Sequence, residues 1–301
     1  MRKLSMLTGR ATGTLAAALA AVQAAPAMAQ DSLELVGHPQ AGGVGFQPAA
    51  TELARDLHWL DGMLLVIITA ICILVIALLA FAAVRFNRKS NPNPKSFTHN
   101  SPLEIAWTLG PIVILVVIGA FSLPVLFKQQ EIPEGDVVIK VTGYQWYWGY
   151  EYVGTDLGYE GYMIGAPATG GDNRMNPEVS AQLQEAGYSD SEFLLATDSA
   201  VVVPVGKTVV MQVTGADVIH SWTIPAFGVK QDAVPGRIAE LWFKPEREGV
   251  FFGQCSELCG ISHAYMPITV KVVSQEAYDA WLAASQDEGG YVDVRQFLAA
   301  S

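Results

Sequence analysis

Two long uncharged apolar runs constrain this chain more than any other feature. Residues 63–84 form a stretch of 22 without a charged side chain, and residues 105–127 form a second of 23. At about 1.5 Å per helical residue, each spans the roughly 30 Å hydrocarbon layer of a bilayer. Pro111 and Pro124 fall in the second run and are tolerated in a membrane helix that packs on neighbours. Arg85, Arg88, Lys89 and Lys95 lie between the runs, with no acidic residue before Glu104. The positive-inside rule places that loop in the cytoplasm. Both ends of the hairpin then face the exported side.

The N-terminus points the same way. Arg2, Lys3 and Arg10 make a basic front, residues 11–25 are Ala/Leu-rich, and Ala27-Met28-Ala29 reads as a small-x-small cleavage site. Residues 1–29 are expected to be a secretion signal, with the mature chain starting at Gln30. A soluble Ala-rich helix is the alternative; the basic front and the cleavage site argue against it. Residues 30–130 are expected to hold an exported N-terminal segment and the hairpin.

Composition changes beyond the hairpin. The whole chain is only 16% charged, against roughly 25% in ordinary soluble proteins. Yet residues 131–301 carry 23 Asp and Glu against 9 Lys and Arg, a net of −14. Such a domain offers no basic face for phosphates, which argues against nucleic acid; it suits a basic protein partner. Short β-rich runs recur at 137–141, 199–203, 208–213, 239–243, 250–254 and 268–273, broken by Pro, Gly and Asp. They predict a β-sandwich or barrel over 131–273. Residues 154–195 read as a long insertion with one weak helical stretch. Residues 274–301 read as a C-terminal extension that opens on a short helix, with Trp281 as its anchor. The fold class is a membrane-anchored all-β protein, a two-helix transmembrane hairpin followed by a β-domain.

Metal chemistry concentrates in Cys255-Ser-Glu-Leu-Cys259-Gly-Ile-Ser-His263-Ala-Tyr-Met266, with His220 35 residues before the first cysteine. Thiolate, imidazole and thioether are soft ligands, and thioether favours copper over zinc or magnesium. A single Cys or Met also packs well as a hydrophobe, so none is diagnostic alone. A Cys255–Cys259 disulfide is permitted in an exported domain, but it leaves His220, His263 and Met266 unexplained. Zinc has little use for Met266. Cys72 lies alone in an apolar run and reads as inert.

Three further segments accompany the cluster: Tyr144-Gln-Trp-Tyr-Trp-Gly-Tyr-Glu-Tyr152, Asp217-Val-Ile-His220-Ser-Trp222 and Lys230-Gln-Asp-Ala-Val-Pro-Gly-Arg237. From the hairpin to Val273 the sequence resembles subunit II of the bacterial cytochrome c oxidases. The resemblance implies a cupredoxin-like Greek-key β-barrel with a binuclear copper centre, CuA. Cys255 and Cys259 would bridge two coppers. His220 and Met266 would complete one; His263 and the backbone carbonyl of Glu257 would complete the other. No position would be open to substrate, as it would be in a catalytic metal site, so the chain would pass electrons and not bind oxygen.

The resemblance implies more. The Glu257 side chain would bind Mg2+ at the interface with the catalytic subunit I. Trp146 would be the electron-input residue, and Glu151, Glu160, Asp198 and Asp217 would dock cytochrome c. Glu104 would lie near the mouth of a proton-uptake path. The function implied is to take electrons from cytochrome c and pass them to the haem–copper subunit, which reduces oxygen to water with proton pumping. The setting implied is the bacterial inner membrane, among lipid and other oxidase subunits, with the copper domain in the periplasm. The alternatives are a copper-binding assembly factor and a quinol-oxidase-type subunit II. The first would not need the aromatic motif or the Glu257 site; the second would lack copper ligands.

Several of these residues also have purely structural readings. Glu257 could be an exposed loop carboxylate. Glu104 could close a capping box with Ser101. The acidic excess could be a solvated face. Six of the nine residues from Tyr144 to Tyr152 are aromatic. In one continuous strand Tyr144, Trp146, Trp148, Tyr150 and Tyr152 would share a face, as a core strand requires.

Overall fold

The computed structural model describes residues 33–300; the expected secretion signal lies outside the described residues. Two helices carry the apolar runs, α1 (Glu52–Arg85) and α2 (Ser101–Gln130). Both extend beyond the uncharged spans, because capping groups and polar turns continue them. Thr51 caps α1 by accepting from Ala54 N at 3.1 Å. Asn100 caps α2 by accepting from Leu103 N at 3.3 Å, and Glu104 reaches back to Asn100 N at 3.3 Å. The expected capping box of Ser101 with Glu104 is therefore not formed: Asn100 is the cap, Ser101 is the first helical residue, and Glu104, one position beyond the N3 site of a capping box, bonds back to the cap's own N–H. A carboxamide oxygen at this position reaches the orphan N–H three residues on.

The rest of the described chain is β-rich. The strands are β1 (Leu35–Gly37), β2 (Val137–Tyr144), β3 (Tyr147–Tyr152), β4 (Gly158–Gly161), β5 (Val201–Pro204), β6 (Val209–Gly215), β7 (His220–Ile224), β8 (Val229–Ala233), β9 (Ala239–Phe243), β10 (Gly249–Gln254) and β11 (Pro267–Val273). They form a four-stranded sheet in the order β1-β10-β11-β5, a five-stranded sheet in the order β4-β3-β2-β6-β9, and the β7-β8 hairpin. Inward residues of both sheets, among them Ile139, Trp148, Val213, Phe243, Phe251 and Val270, close one apolar core. The all-β domain behind a two-helix anchor is thus the fold observed.

That core recruits residues from outside 131–273. Val36, Ala50 and Leu53 enter it from the N-terminal side, and β1 pairs in parallel with β10. Helix α3 (Pro177–Glu185) lies in the insertion. A second cluster joins its Val179 and Leu183 to Val250 and Phe252 of β10. Helix α4 (Gln275–Glu288) buries Trp281 completely against Tyr152, with ring centres 5.4 Å apart. Its indole N–H donates to Val292 O at 2.8 Å. The division between 273 and 274 does not coincide with a packing boundary.

The anchor and the β-domain meet through specific bonds. Ala50 N donates to Ala226 O at 2.8 Å and the Thr51 hydroxyl to Phe227 O at 2.7 Å. Arg55 pairs with Glu246, and Trp242 Nε1 donates to Lys128 O at 3.2 Å.

Candidate metal centre

β7 opens on His220, which lies in the interior with no exposed surface. Its position depends on β2, because a Cβ at Gly143 would stand 2.9 Å from the His220 ring. Trp148 of β3 packs edge-on against the same ring at 5.9 Å and donates its indole N–H to Met266 O at 3.3 Å. The loop after β10 supplies Cys255 and Cys259, and Ser256 N is tied to Ser221 O at 3.0 Å. A 3-10 turn, His263–Tyr265, then presents His263 and leads into buried Met266 ahead of β11.

All the soft donors converge. The two thiol sulfurs lie 3.8 Å apart, far beyond the roughly 2.05 Å of a disulfide; both cysteines are free. Cys255 Sγ is 3.9 Å from His220 Nδ1 and 3.2 Å from the carbonyl oxygen of Glu257. Cys259 Sγ is 3.5 Å from His263 Nδ1 and 3.4 Å from Met266 Sδ. Donor atoms of His220, Cys255 and Cys259 fall within 4.8 Å of one another. Every residue singled out as a copper donor is brought to one place.

Electrostatics show what the cluster can hold. Burial raises both thiols, but at Cys255 the bonds from His220 and the backbone outweigh it and bring the thiol down to about 7. Burial, then the charge on Cys255, pushes Cys259 up to about 12. The pair takes one negative charge readily and resists the second, because adjacent thiolates repel. Burial opposes the imidazolium of His220, yet its bonds to Cys255 and Asp217 raise its proton affinity overall. Two thiolates with imidazole, thioether and carbonyl oxygen around them need a soft cation to neutralise them, and this donor set fits copper.

Asp217 does more than carry surface charge. Its Oδ1 lies 2.8 Å from His220 Nε2, while its Oδ2 accepts from Gln145 N at 2.7 Å. Burial works against its carboxylate, but these bonds hold its pKa below the ordinary value. A carboxylate on the remote nitrogen fixes the tautomer that leaves Nδ1 free for metal.

The aromatic motif is not one strand. β2 ends at Tyr144, Gln145 and Trp146 form a turn, and β3 begins at Tyr147. The expectation of five rings on one face fails at that turn, where the chain reverses. Trp148, Tyr150 and Tyr152 face the core, whereas Trp146 is half-buried in the turn. Trp146 Nε1 donates to Cys259 O at 3.2 Å, and Gln145 Nε2 donates to the same oxygen at 2.9 Å. Gly260 makes room for the indole: its φ is 126°, and a Cβ there would sit 3.0 Å from Trp146 Cζ2. Gln145, Gly143, Gly260 and Trp148 were not marked as site residues by the sequence. Only the neighbourhood of Gln145 and Trp148 to Trp146 hinted at them.

The remaining acids are placed unequally. Glu160 accepts from the Tyr162 hydroxyl and Asp198 Oδ1 from Tyr162 N at 2.8 Å. The Tyr162 ring stacks on Tyr147 at 4.6 Å, which stacks on Tyr144 at 4.7 Å, so these two acids adjoin an aromatic row that ends at the Trp146 turn. Glu151 lies further along β3 and pairs with Lys140 at 2.9 Å. Glu257 is exposed on the cysteine loop. Glu104 lies on α2, apart from the cluster.

Comparison with known proteins places this architecture. Residues 137–273 match the model of the cytochrome c oxidase subunit II periplasmic domain, and residues 39–125 match that of the subunit's transmembrane domain. Cytochrome c oxidase subunit 2 of Cereibacter sphaeroides is 69% identical over 100% of this chain and 98% of its own length. A probable cytochrome c oxidase subunit 2 of Rickettsia felis is 45% identical over 80% of this chain and 71% of its own. The crystal structure of the periplasmic domain of subunit II of cytochrome oxidase from Bradyrhizobium japonicum is 41% identical. It covers 52% of this chain and 98% of that domain, with a TM-score of 0.42. The chain belongs to the copper-binding cytochrome c oxidase subunit II family and is a subunit of a haem–copper oxidoreductase.

Proposed function

We propose that this chain receives electrons from cytochrome c at a binuclear copper centre and delivers them to the catalytic subunit. The observation that carries the reading is the convergence of two thiols, two imidazoles, a thioether and the Glu257 carbonyl. Cys255 and Cys259 would hold two coppers between them, with His220 and Met266 on one side and His263 and the Glu257 carbonyl on the other. Copper there supplies one-electron redox chemistry at low reorganisation cost. The β-scaffold holds the donors fixed, and this chain's own residues would supply all the ligands, so it would pass electrons and leave oxygen to the catalytic subunit.

The surrounding residues serve that role. Trp146 donates to the Cys259 carbonyl, and its half-buried indole packs beside Gly260 on the loop that carries both cysteines. Glu151, Glu160, Asp198 and Asp217 offer carboxylates to the basic face of cytochrome c. The exposed Glu257 side chain, on the loop that holds both cysteines, would bind Mg2+ against the catalytic subunit. Glu104, at the start of α2, would stand at the cytoplasmic mouth of a proton path. The domain would lie in the periplasm, on an anchor in the bacterial inner membrane, since the basic loop between the helices marks the cytoplasmic side.

Metal analysis and electron paramagnetic resonance of the full-length chain, purified in detergent, test this reading. The expected result is two coppers per chain sharing one unpaired electron. One zinc per chain, or a Cys255–Cys259 disulfide in freshly oxidised protein, would overturn it.

A further inference from the structure

Between the exported ends of α1 and α2 lies a cleft of about 260 Å³ that the metal centre does not use. Asp56, Trp59, Pro124, Val125 and Lys128 line it. Its wall is apolar. Trp59 is 55% exposed and packs edge-on against Phe121, ring centres 5.4 Å apart. Its rim is charged. Lys128 Nζ lies 2.6 Å from Glu52 Oε1 and 2.7 Å from Asp56 Oδ2. An ammonium has three N–H donors, and among the described residues two of these have partners. The second oxygen of each carboxylate is likewise open. Arg55, the other cation nearby, is engaged by Glu246 through two hydrogen bonds. The rim therefore sets two carboxylates against one ammonium.

The depth of the cleft matters. Trp59 stands one turn before the uncharged run that begins at residue 63, and Lys128 directly follows the run that ends at 127. That level is the boundary between hydrocarbon and headgroups, where tryptophan concentrates in membrane proteins. An occupant must be apolar below, offer an anion to Lys128 and return a cation to the carboxylates.

We propose that this cleft binds a phospholipid with a primary-ammonium headgroup, of the phosphatidylethanolamine class. A phosphate oxygen accepts from the third N–H of Lys128. The lipid ammonium donates to the open oxygens of Glu52 and Asp56, and an acyl chain runs past Trp59, Pro124 and Val125. A quaternary ammonium has no N–H to donate to those carboxylates. An anionic headgroup adds negative charge to a rim already in carboxylate excess.

Native mass spectrometry of the intact oxidase tests this. The complex is delipidated in detergent and reloaded from vesicles of phosphatidylethanolamine, phosphatidylcholine or phosphatidylglycerol. Asp56→Asn removes a charge from the rim. Val125→Trp fills the cleft from its apolar wall and leaves every ion pair in place. The unaltered complex should retain one more phosphatidylethanolamine than either variant, with equal phosphatidylcholine and phosphatidylglycerol in all three, while haem and copper spectra stay the same. Equal phosphatidylethanolamine retention in all three complexes would overturn the proposal, as it would if a neighbouring subunit covered the cleft. So would a phosphatidylcholine or phosphatidylglycerol retained as well as phosphatidylethanolamine and lost in the variants.

Discussion

Trp146 and Trp148 are two residues apart and have opposite surroundings. Trp148 is fully buried and packs on His220, so Trp148→Ala should cost about 3–5 kcal/mol and loosen copper. Trp146 lies in a turn with its ring half-exposed. Trp146→Ala should keep copper and thermal stability, yet slow electron transfer from cytochrome c in flash-photolysis kinetics. The dissociation constant should change much less, because the carboxylates remain. Loss of copper in Trp146→Ala would decide for a packing role. Period-two reasoning could not separate these rings, because it assumes one continuous strand and the chain turns at Gln145. The thiols make a second test. Cys255 is held down at about 7 and Cys259 up at about 12, so thiolate forms on one cysteine as pH rises through 7. The metal-free chain should therefore alkylate Cys255 with an apparent pKa near 7, while Cys259 resists. Both alkylating together near the ordinary thiol value would show that the sulfurs do not share a charge. The cluster itself was legible, since Cys255, Glu257, Cys259, His263 and Met266 fall within one segment; the role of Gln145 was not, because its partners are more than 70 residues away, and that of Asp217 was not, because an acid three residues before a histidine also reads as surface charge.

At the scale of elements, segments on both sides of 131–273 share its core. Sequence reading placed strands at the six β-rich runs, and strands are found there. It missed β1, β4 and the β7–β8 hairpin, which are only three to five residues long; β4 lies inside the segment read as an insertion, yet it pairs with β3 at the edge of the five-stranded sheet. It also drew the domain too narrowly, because an amphipathic helix such as α4 does not announce what it packs against. Trp281 is fully buried, and Val294 follows it into the same core. Trp281→Ala should lower the unfolding free energy by about 3–5 kcal/mol in a urea titration of the full chain. A loss below about 1 kcal/mol would mean the helix is a loosely attached appendage. Lys271 of β11 gives a gentler contrast. Burial lowers its pKa, and it lies 3.4 Å from Asp293, which also pairs with Arg295. Lys271→Met leaves Asp293 with a cationic partner, so its cost should be well below that of Trp281→Ala.

The molecule as a whole separates its charges by compartment. Basic residues crowd the loop between the helices, whereas the β-domain carries the net −14. An acidic surface of that kind steers a basic partner, and its reach is screened within roughly 8 Å at physiological salt. The structure sets the four expected docking acids in three surroundings, with Glu151 paired to Lys140. Glu160 and Asp198 flank Tyr162 at one end of the aromatic row, while Asp217 is bound to His220 and to the Trp146 turn. Neutralising Glu160 and Asp198 together should weaken cytochrome c binding and flatten its dependence on ionic strength, with copper spectra untouched. Asp217→Asn should weaken binding too, but it should also shift the copper spectrum and potential, because His220 loses a carboxylate on its remote nitrogen. The two pairs of readouts discriminate between steering and positioning. An unchanged salt profile in the Glu160/Asp198 variant would reduce the acidic excess to solvation. An unchanged copper spectrum in Asp217→Asn would return that residue to the docking surface alone.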